Sequence, residues 1–463
     1  MAVDYDLVIL GGTPEGYAAA AYAVQSGARA ALVLQAIEGA RSPLICRGIL
    51  NSSLWDSSAR PLLDSAGTPW QWVKQRAMLI ADTLTGDDAQ QLMVQGCDVI
   101  AESGHIVSDR PLTVATTSRR LSTRALLVAT GHHFRAPLVP GLEAVPYKTP
   151  ETFWQWEQLP SSVAILGSRP EGLALAQWLR RWQIPVTVVT ANAEVLTIED
   201  PDVSRWLGAQ LRAQGVDLRC AVRVENVSAQ ASDITLKLAE DVVRAEALVV
   251  AVRPVPYTEN LGLGVCLSSE RPSVNAYLQT QHPRIYICGA AIGGDDFPAI
   301  ARQEAQWAVQ NALFWPRQRV HYAAIPYDLP TQPPLARVGW TESQALERFG
   351  RDRVLVAQQS LYDNPPAQWR ESTVGFCKLI AHRDGRLLGC HGVGPAAPEW
   401  VQTMALLMTA SVPWWRLASF PALPYSLTEL LRQAAQQWER DRWQPGRWRR
   451  NWAENWCNWR RSR

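Results

Sequence analysis

Two short turns hold the residues whose types and spacing suit chemistry, Gly11-Gly12-Thr13-Pro14-Glu15-Gly16 and Gly167-Ser168-Arg169-Pro170-Glu171-Gly172. Each follows a four-residue apolar run, Leu7-Val8-Ile9-Leu10 or Val163-Ala164-Ile165-Leu166, which reads as a buried strand. Each precedes a helical stretch, Tyr17 to Ser26 in the first case and a helix ending at Arg181 in the second. Second apolar runs, Ala30-Ala31-Leu32-Val33-Leu34 and Val186-Thr187-Val188-Val189, complete two βαβ units. Such a turn presents backbone N–H groups and a helix N-terminus to a pyrophosphate, and needs glycine where a side chain would intrude. Gly11, Gly12, Gly16, Gly167 and Gly172 are therefore candidate dinucleotide-binding residues, with Thr13 and Arg169 at the middle-glycine positions. Arg169 would either fill the phosphate cleft or grip a phosphate. Leu34 stands where an acidic residue would hold an adenosine ribose, leaving Gln35 as the nearest polar substitute. Thr190 ends the corresponding strand of the second unit, so the choice between NAD(H) and NADP(H) stays open.

Other chemistries find less support. The eight cysteines (Cys46, Cys97, Cys220, Cys266, Cys288, Cys377, Cys390 and Cys457) include no CxxC pair, and no Cys/His set has zinc spacing. They read as reduced, mostly buried thiols. His132-His133 and Asp295-Asp296 form no recognisable metal set, and Ser52-Ser53 and Ser57-Ser58 have no apparent base to make them nucleophiles. With 463 residues, 47% of them hydrophobic, the chain can bury a large core divided among about three domains. The formal net charge of +2 gives no global case for nucleic acid or membrane. Met1 to Asp6 runs into an apolar strand without a basic region, and no window is apolar enough for a membrane span, so a cytoplasmic protein is expected.

Further segments carry a family resemblance. Ala125-Leu126-Leu127-Val128-Ala129-Thr130-Gly131, followed by Pro137 and Pro140-Gly141-Leu142, resembles the strand and ATG turn of two-dinucleotide flavoproteins. Ala247 to Val252 resembles the strand closing their second nucleotide domain, and Arg284-Ile285-Tyr286-Ile287-Cys288-Gly289 their return strand. Thr331 to Glu342, Gly375 to Ile380 and Leu388 to Gly394 resemble their dimerisation domain. From about residue 5 to 440 the chain resembles the class I pyridine nucleotide–disulfide oxidoreductases. Pro424-Tyr425 and the segment from Glu429 place it nearer mercuric reductases than dihydrolipoamide dehydrogenases.

The resemblance implies an α/β fold with two Rossmann-like dinucleotide-binding domains (glutathione reductase-like) and a C-terminal α+β dimerisation domain. The corresponding division is 1–148 for the first part of the FAD-binding domain, 149–270 for an NAD(P)-binding-like domain, 271–325 for the return segment, 326–440 for dimerisation and 441–463 for a tail. It adds Ala129, Thr130, Gly131 and Gly289 to the cofactor-binding candidates. Tyr425 and Glu429 become candidate catalytic residues, facing the flavin of the other subunit of a homodimer, with an interface aromatic and an early-helix carboxylate as the plainer readings. Much of the catalytic pattern is replaced. Against Gly-Gly-Thr-Cys-x4-Cys-x-x-Ser-Lys stands Arg41-Ser42-Pro43-Leu44-Ile45-Cys46-Arg47-Gly48-Ile49-Leu50-Asn51-Ser52, with register taken from a helix over Ser53–Ala59. Pro43 and Gly48 thus take the cysteine positions and Ser52 the lysine position. Ala290 replaces the flavin-binding aspartate, Ala174 the helix glutamate and Pro424 the base histidine, and Cys457 is left without the terminal cysteine partner that binds mercury.

Beyond Trp438 the composition changes. Trp438, Trp443, Trp448, Trp452, Trp456 and Trp459 alternate with eight arginines against three acidic residues, while the rest of the chain is net −3. Trp448, Trp452, Trp456 and Trp459 share one face if the segment is helical, and Pro445-Gly446 separates it from the preceding helix. Residues 441–463 suit a membrane surface, which would make the protein peripheral to a membrane, or a protein partner. The plainer reading is a tail folded back on its own dimer; nucleic acid is disfavoured. Two functions follow. One is an FAD-dependent NAD(P)H oxidoreductase without a redox disulfide, passing electrons to a small non-disulfide acceptor such as a quinone, and neither a disulfide nor a mercuric reductase. The other is a catalytically silent dimeric scaffold or assembly factor acting through the tail.

Overall fold

The computed structural model describes residues 3–35, 42–50, 69–230, 233–267, 273–294 and 297–462, without the side chains of 42–44, 84–88 and 442. Expectations that rest on Arg41, Asn51, Ser52, the Ser53–Ala59 helix, Asp295, Asp296 and Arg463, or on the Pro43 side chain, lie outside the described residues. The chain forms two compact units, one of residues 1–196 and 205–320, the other of 197–204 and 321–463.

The first unit is built on two parallel sheets. In one, strands Asp98–Ile100, Ala30–Val33, Tyr5–Leu10, Arg120–Val128 and Ile285–Ile287 lie side by side in that order, all parallel. Leu7 to Leu10 are buried on both faces, which is why they are a continuous apolar run and not an alternating one. The helix that follows spans Pro14–Gln25 and starts earlier than the sequence suggests, because Thr13 caps it and Pro14 at its first position has no N–H to leave unbonded. Its Ala19, Ala20 and Ala23 share a core cluster with Ala305 and Ala308 of helix Pro298–Leu313, small side chains that allow close helix approach.

The other sheet repeats the plan with strands Asp217–Arg219, Val186–Val189, Val163–Leu166 and Ala247–Val250, all parallel. An antiparallel meander, Val224–Gln230, Asp233–Leu238 and Val242–Ala245, shares its core. An aromatic cluster joins the two halves of this unit. Trp70, at the start of helix Pro69–Val94, lies 5.7 Å from Trp178 of helix Pro170–Arg181, which also meets Phe153 at 5.9 Å and Trp182 at 5.6 Å.

The second unit holds a five-stranded antiparallel sheet in the order Tyr327–Leu329, Leu335–Gly339, Leu387–Val393, Phe376–His382, Val354–Ser360. Trp400, Met404, Trp414, Leu430, Leu431 and Trp438 of its helices fill the core against the sheet. The fold is thus α/β, with two Rossmann-like halves and an α+β C-terminal part.

Within the second unit the central strands carry charge into the core. The Lys378 ammonium is almost fully buried and contacts Asp200 at 2.8 Å, Asp202 at 2.7 Å and Glu342 at 2.6 Å. Burial disfavours its charge, but these three hydrogen bonds prevail and raise its pKa. Beside it, buried Glu199 accepts from the Tyr327 hydroxyl at 2.6 Å and lies 3.5 Å from Arg337. Burial raises the Glu199 carboxyl above its ordinary value. His391, 4.0 Å from Glu199, is pushed down to about 4, first by burial and then by the Arg337 charge. Its folded pKa lies below the ~6.5 of an unfolded histidine. The unfolded chain therefore takes up the proton first, and stability present above pH ~6.5 is lost as pH falls toward 4, by at most ~3 kcal/mol. Urea midpoints measured across that range should fall for the native chain, and His391→Gln should flatten the slope.

Candidate dinucleotide site

Each glycine turn is fixed by a close approach of backbones. Gly11 has φ +132°, and a Cβ there would meet the Ala129 carbonyl oxygen at 1.9 Å. Gly167 repeats this with φ +107° and the Ala251 oxygen at 2.2 Å. Only glycine permits either the conformation or the distance. The N–H of Gly11 donates to Val33 at 2.9 Å and that of Gly12 to Leu34 at 2.8 Å, tying the first turn to the neighbouring strand.

The structure brings the first set of candidates together. Thr13 donates from its hydroxyl to the Ala129 carbonyl at 2.7 Å and accepts from the Gly16 N–H at 3.3 Å. A Cβ at Gly131 would lie 3.2 Å from the Thr13 methyl, and one at Gly289 would lie 2.8 Å from Glu15 Oε1. Residues 11–16, 129–131 and 289 therefore converge at the N-terminus of one helix. Thr130 donates to the Tyr257 carbonyl at 2.5 Å, which holds the turn after the strand in place. Gln35 is adjacent in sequence but has φ +57°, and its amide both donates to the Gly104 carbonyl at 2.9 Å and accepts from the Gly104 N–H at 3.3 Å.

In the second turn, Arg169 stands 3.8 Å from Glu171, so its charge has a neighbour within the turn itself. The Ser168 and Thr190 hydroxyls are 3.1 Å apart, and Asn192 joins them by donating to Thr190 at 3.3 Å. Gly172 packs on the Ala251 methyl, where a Cβ would come within 2.5 Å.

Sequence reading passed over two carboxylates. Glu15, near the start of helix Pro14–Gln25, is buried between Gly131 and Gly289, and buried Glu304 accepts the Gly289 N–H at 2.7 Å. Burial and then the charges of Glu15 and Glu304 hold the Cys288 thiol well above its ordinary pKa. A signal was present: Pro-Glu-Gly occurs in both turns, placing a glutamate in the first helical turn each time. Three backbone segments therefore meet at one helix N-terminus, as a dinucleotide site requires, with the Glu15 carboxylate beside them.

Tyr425 and Glu429 lie in the other unit. Tyr425 is 66% exposed, has φ +63° and packs against the Trp369 ring at 5.2 Å. Glu429 opens helix Glu429–Arg442 and pairs with Arg432 at 2.5 Å. Of the residues at the expected cysteine positions, Gly48 is described, inside helix Ser42–Leu50, where it faces Ala77 of helix Pro69–Val94. Cys46 on the same helix is buried, and burial followed by the Glu151 charge raises its pKa well above the usual thiol range.

Comparison with known proteins bears on this arrangement. Residues 5–312 match the family model "Pyridine nucleotide-disulphide oxidoreductase", and residues 325–435 match its dimerisation domain. A mercuric reductase of Staphylococcus aureus is 25% identical over 458 residues, covering 95% of this chain and 83% of that protein. A dihydrolipoyl dehydrogenase of Bacillus subtilis is 26% identical, covering 94% of this chain and 98% of that protein. Among solved structures, LpdA of Mycobacterium tuberculosis superposes with a TM-score of 0.84 at 23% identity, covering 93% of this chain and 99% of that one. The flavoprotein disulfide reductase RclA of Escherichia coli gives 0.81 at 22% identity, covering 94% and 100%. The expectation that the chain is neither a disulfide nor a mercuric reductase is overturned by these relatives, whose names point to disulfide-type reductases. That expectation rested on a register taken from Ser53–Ala59, which lies outside the described residues, and on individual side chains that can change while a family keeps its fold.

Removing the Glu15 charge while keeping its shape, in Glu15→Gln, should tighten FAD binding about tenfold, a difference of ~1.4 kcal/mol. Quenching of flavin fluorescence on titration into apoprotein measures it. Unchanged or weaker binding would show that the carboxylate does not face the phosphates.

Proposed function

Since the chain belongs to the pyridine nucleotide–disulphide oxidoreductase family, whose members bind FAD and NAD(P)H, we propose that it is an FAD-dependent oxidoreductase acting on a small non-disulfide acceptor such as a quinone. The observation that supports this reading is the convergence of residues 11–16, 129–131 and 289 on one helix N-terminus, with Cys46 buried and Gly48, in the register expected from the sequence, at the second cysteine position. FAD, when bound, supplies two-electron transfer between a nicotinamide and the acceptor. Gly11, Gly12, Thr13, Gly16, Ala129, Thr130, Gly131 and Gly289 would hold it. Gln35 would reach the ribose only by releasing Gly104. Gly167, Arg169 and Gly172 would hold NADH or NADPH, for which Arg169 must leave Glu171. A buried Cys46 thiol with raised pKa is a poor nucleophile, which supports transfer from the flavin without a protein thiol.

The protein would work as a homodimer, with Tyr425 and Glu429 of one subunit completing the flavin site of the other. Domains would divide at 148, 270, 325 and 440. Among the described residues no helix is long and apolar enough to cross a membrane. A cytoplasmic site of action, peripheral to a membrane through residues 441–463, suits the tail. A silent scaffold is the second reading, favoured by the self-neutralised Arg169–Glu171 turn and by buried Glu15.

The visible spectrum of the purified protein, with chromatography of whatever denaturation releases, tests the flavin. Anaerobic addition of NADH or NADPH should then bleach it, and a quinone should restore the colour. Restoration by lipoamide or Hg2+ in place of the quinone would overturn the acceptor assignment. A colourless protein that refuses added FAD would leave the scaffold.

A further inference from the structure

Helix Trp448–Arg461 has no buried residue, and its aromatic face is open: Trp448 is 72% exposed, Trp452 60%, Trp456 47% and Trp459 45%. At 100° per residue these four indoles fall within a single narrow stripe. Three of them are in contact along it, Trp452 stacking on Trp456 at 6.0 Å and Trp456 meeting Trp459 at 5.0 Å with the rings tilted by 31°. Arg449 and Arg460 project along one edge of that stripe, and Arg449 lies over the Trp448 ring at 5.5 Å. Arg450 and Arg461 project from the opposite side, and Glu454, paired with Arg450 at 2.7 Å, is the one acid in the helix.

We infer that this helix docks on an anionic phospholipid surface, lying flat with its indoles at headgroup depth and Arg449 and Arg460, at the edge of the stripe, against lipid phosphates. The inference deepens the peripheral location proposed above and is independent of the flavin. Three features select a lipid surface over a protein groove. The apolar stripe is all tryptophan, with no leucine, isoleucine or valine in the helix to fill the pockets of a groove. Indole combines an apolar body with an N–H that stays wet, which suits the membrane interface. Arg449 and Arg460 border the indole stripe, where guanidinium groups reach a laterally uniform layer of phosphates as the rings enter the interface. The rest of the chain, at net −3, does not supply this charge, so attraction to such a surface is concentrated in the tail. Gly446, with φ +84°, and Pro445 set the helix off from Glu429–Arg442.

The test uses the full chain and vesicles of phosphatidylcholine with or without about 30% phosphatidylglycerol, read by co-sedimentation and by the blue shift of tryptophan emission. Binding at least about tenfold tighter to the anionic vesicles, and lost in high salt, is expected. Trp452→Ser with Trp456→Ser should abolish it. Arg449→Gln with Arg460→Gln should weaken it several-fold with the indoles intact. Helicity and the absorbance spectrum are followed in each variant, so that loss of fold or of flavin is read separately. Equal binding to neutral and anionic vesicles, or none to either, overturns the inference, as does tail-dependent self-association without vesicle binding. A colourless protein that still binds anionic vesicles would sink the oxidoreductase reading and leave this one standing.

Discussion

The constraint on which the first unit depends is the contact between a glycine turn and the carbonyl of the adjacent strand. At Gly11 the Ala129 oxygen, and at Gly167 the Ala251 oxygen, would lie about where a side chain begins. This closeness lets the strand pass directly into the helix and aims the helix N-terminus at the ends of the parallel strands, where ligands bind in such folds. Strand Arg120–Val128 lies between Tyr5–Leu10 and Ile285–Ile287, so Ala129–Gly131 and Gly289 arrive at the same terminus. A substitution at either glycine would therefore disturb the sheet and the site together.

Electrostatics at those termini set this chain's own character. A helix N-terminus favours negative charge, and a bound phosphate is one way to supply it. Here Glu15 and Glu171 supply it from within the chain, and Thr13 takes up the Gly16 N–H. A carboxylate there stabilises its helix through the same charge that would oppose a bound phosphate, which would set fold stability against cofactor affinity at one residue. In the second turn Arg169 moderates that competition, while in the first Glu304 adds to it.

The second unit resolves a different conflict. Placing Lys378 on a central strand costs several kcal/mol of desolvation, and only close carboxylates can offset it. Asp200, Asp202 and Glu342 do so from segments remote in sequence, while His391 stays neutral beside Glu199 and Arg337. Buried charge of this kind stabilises little by itself but penalises any arrangement that breaks it, which makes it a register device for the sheet and the 197–204 segment within this unit.

Local chemistry alone determined the apolar strands around the two turns, the turns themselves and the helix end at Arg181, because each depends on neighbours a few residues away. The Pro-Glu-Gly repeat was equally legible, yet its meaning was not, since a first-turn glutamate reads as an ordinary helix signal until Gly131 and Gly289 are seen to close around it. Tertiary structure alone decided that Gln35 is held by Gly104, that Arg169 meets Glu171, and that Lys378, inside an apolar strand, finds carboxylates 176 and 178 residues away. Those outcomes depend on which long-range partners a buried polar group can reach, and a single sequence encodes the need for a partner without naming it.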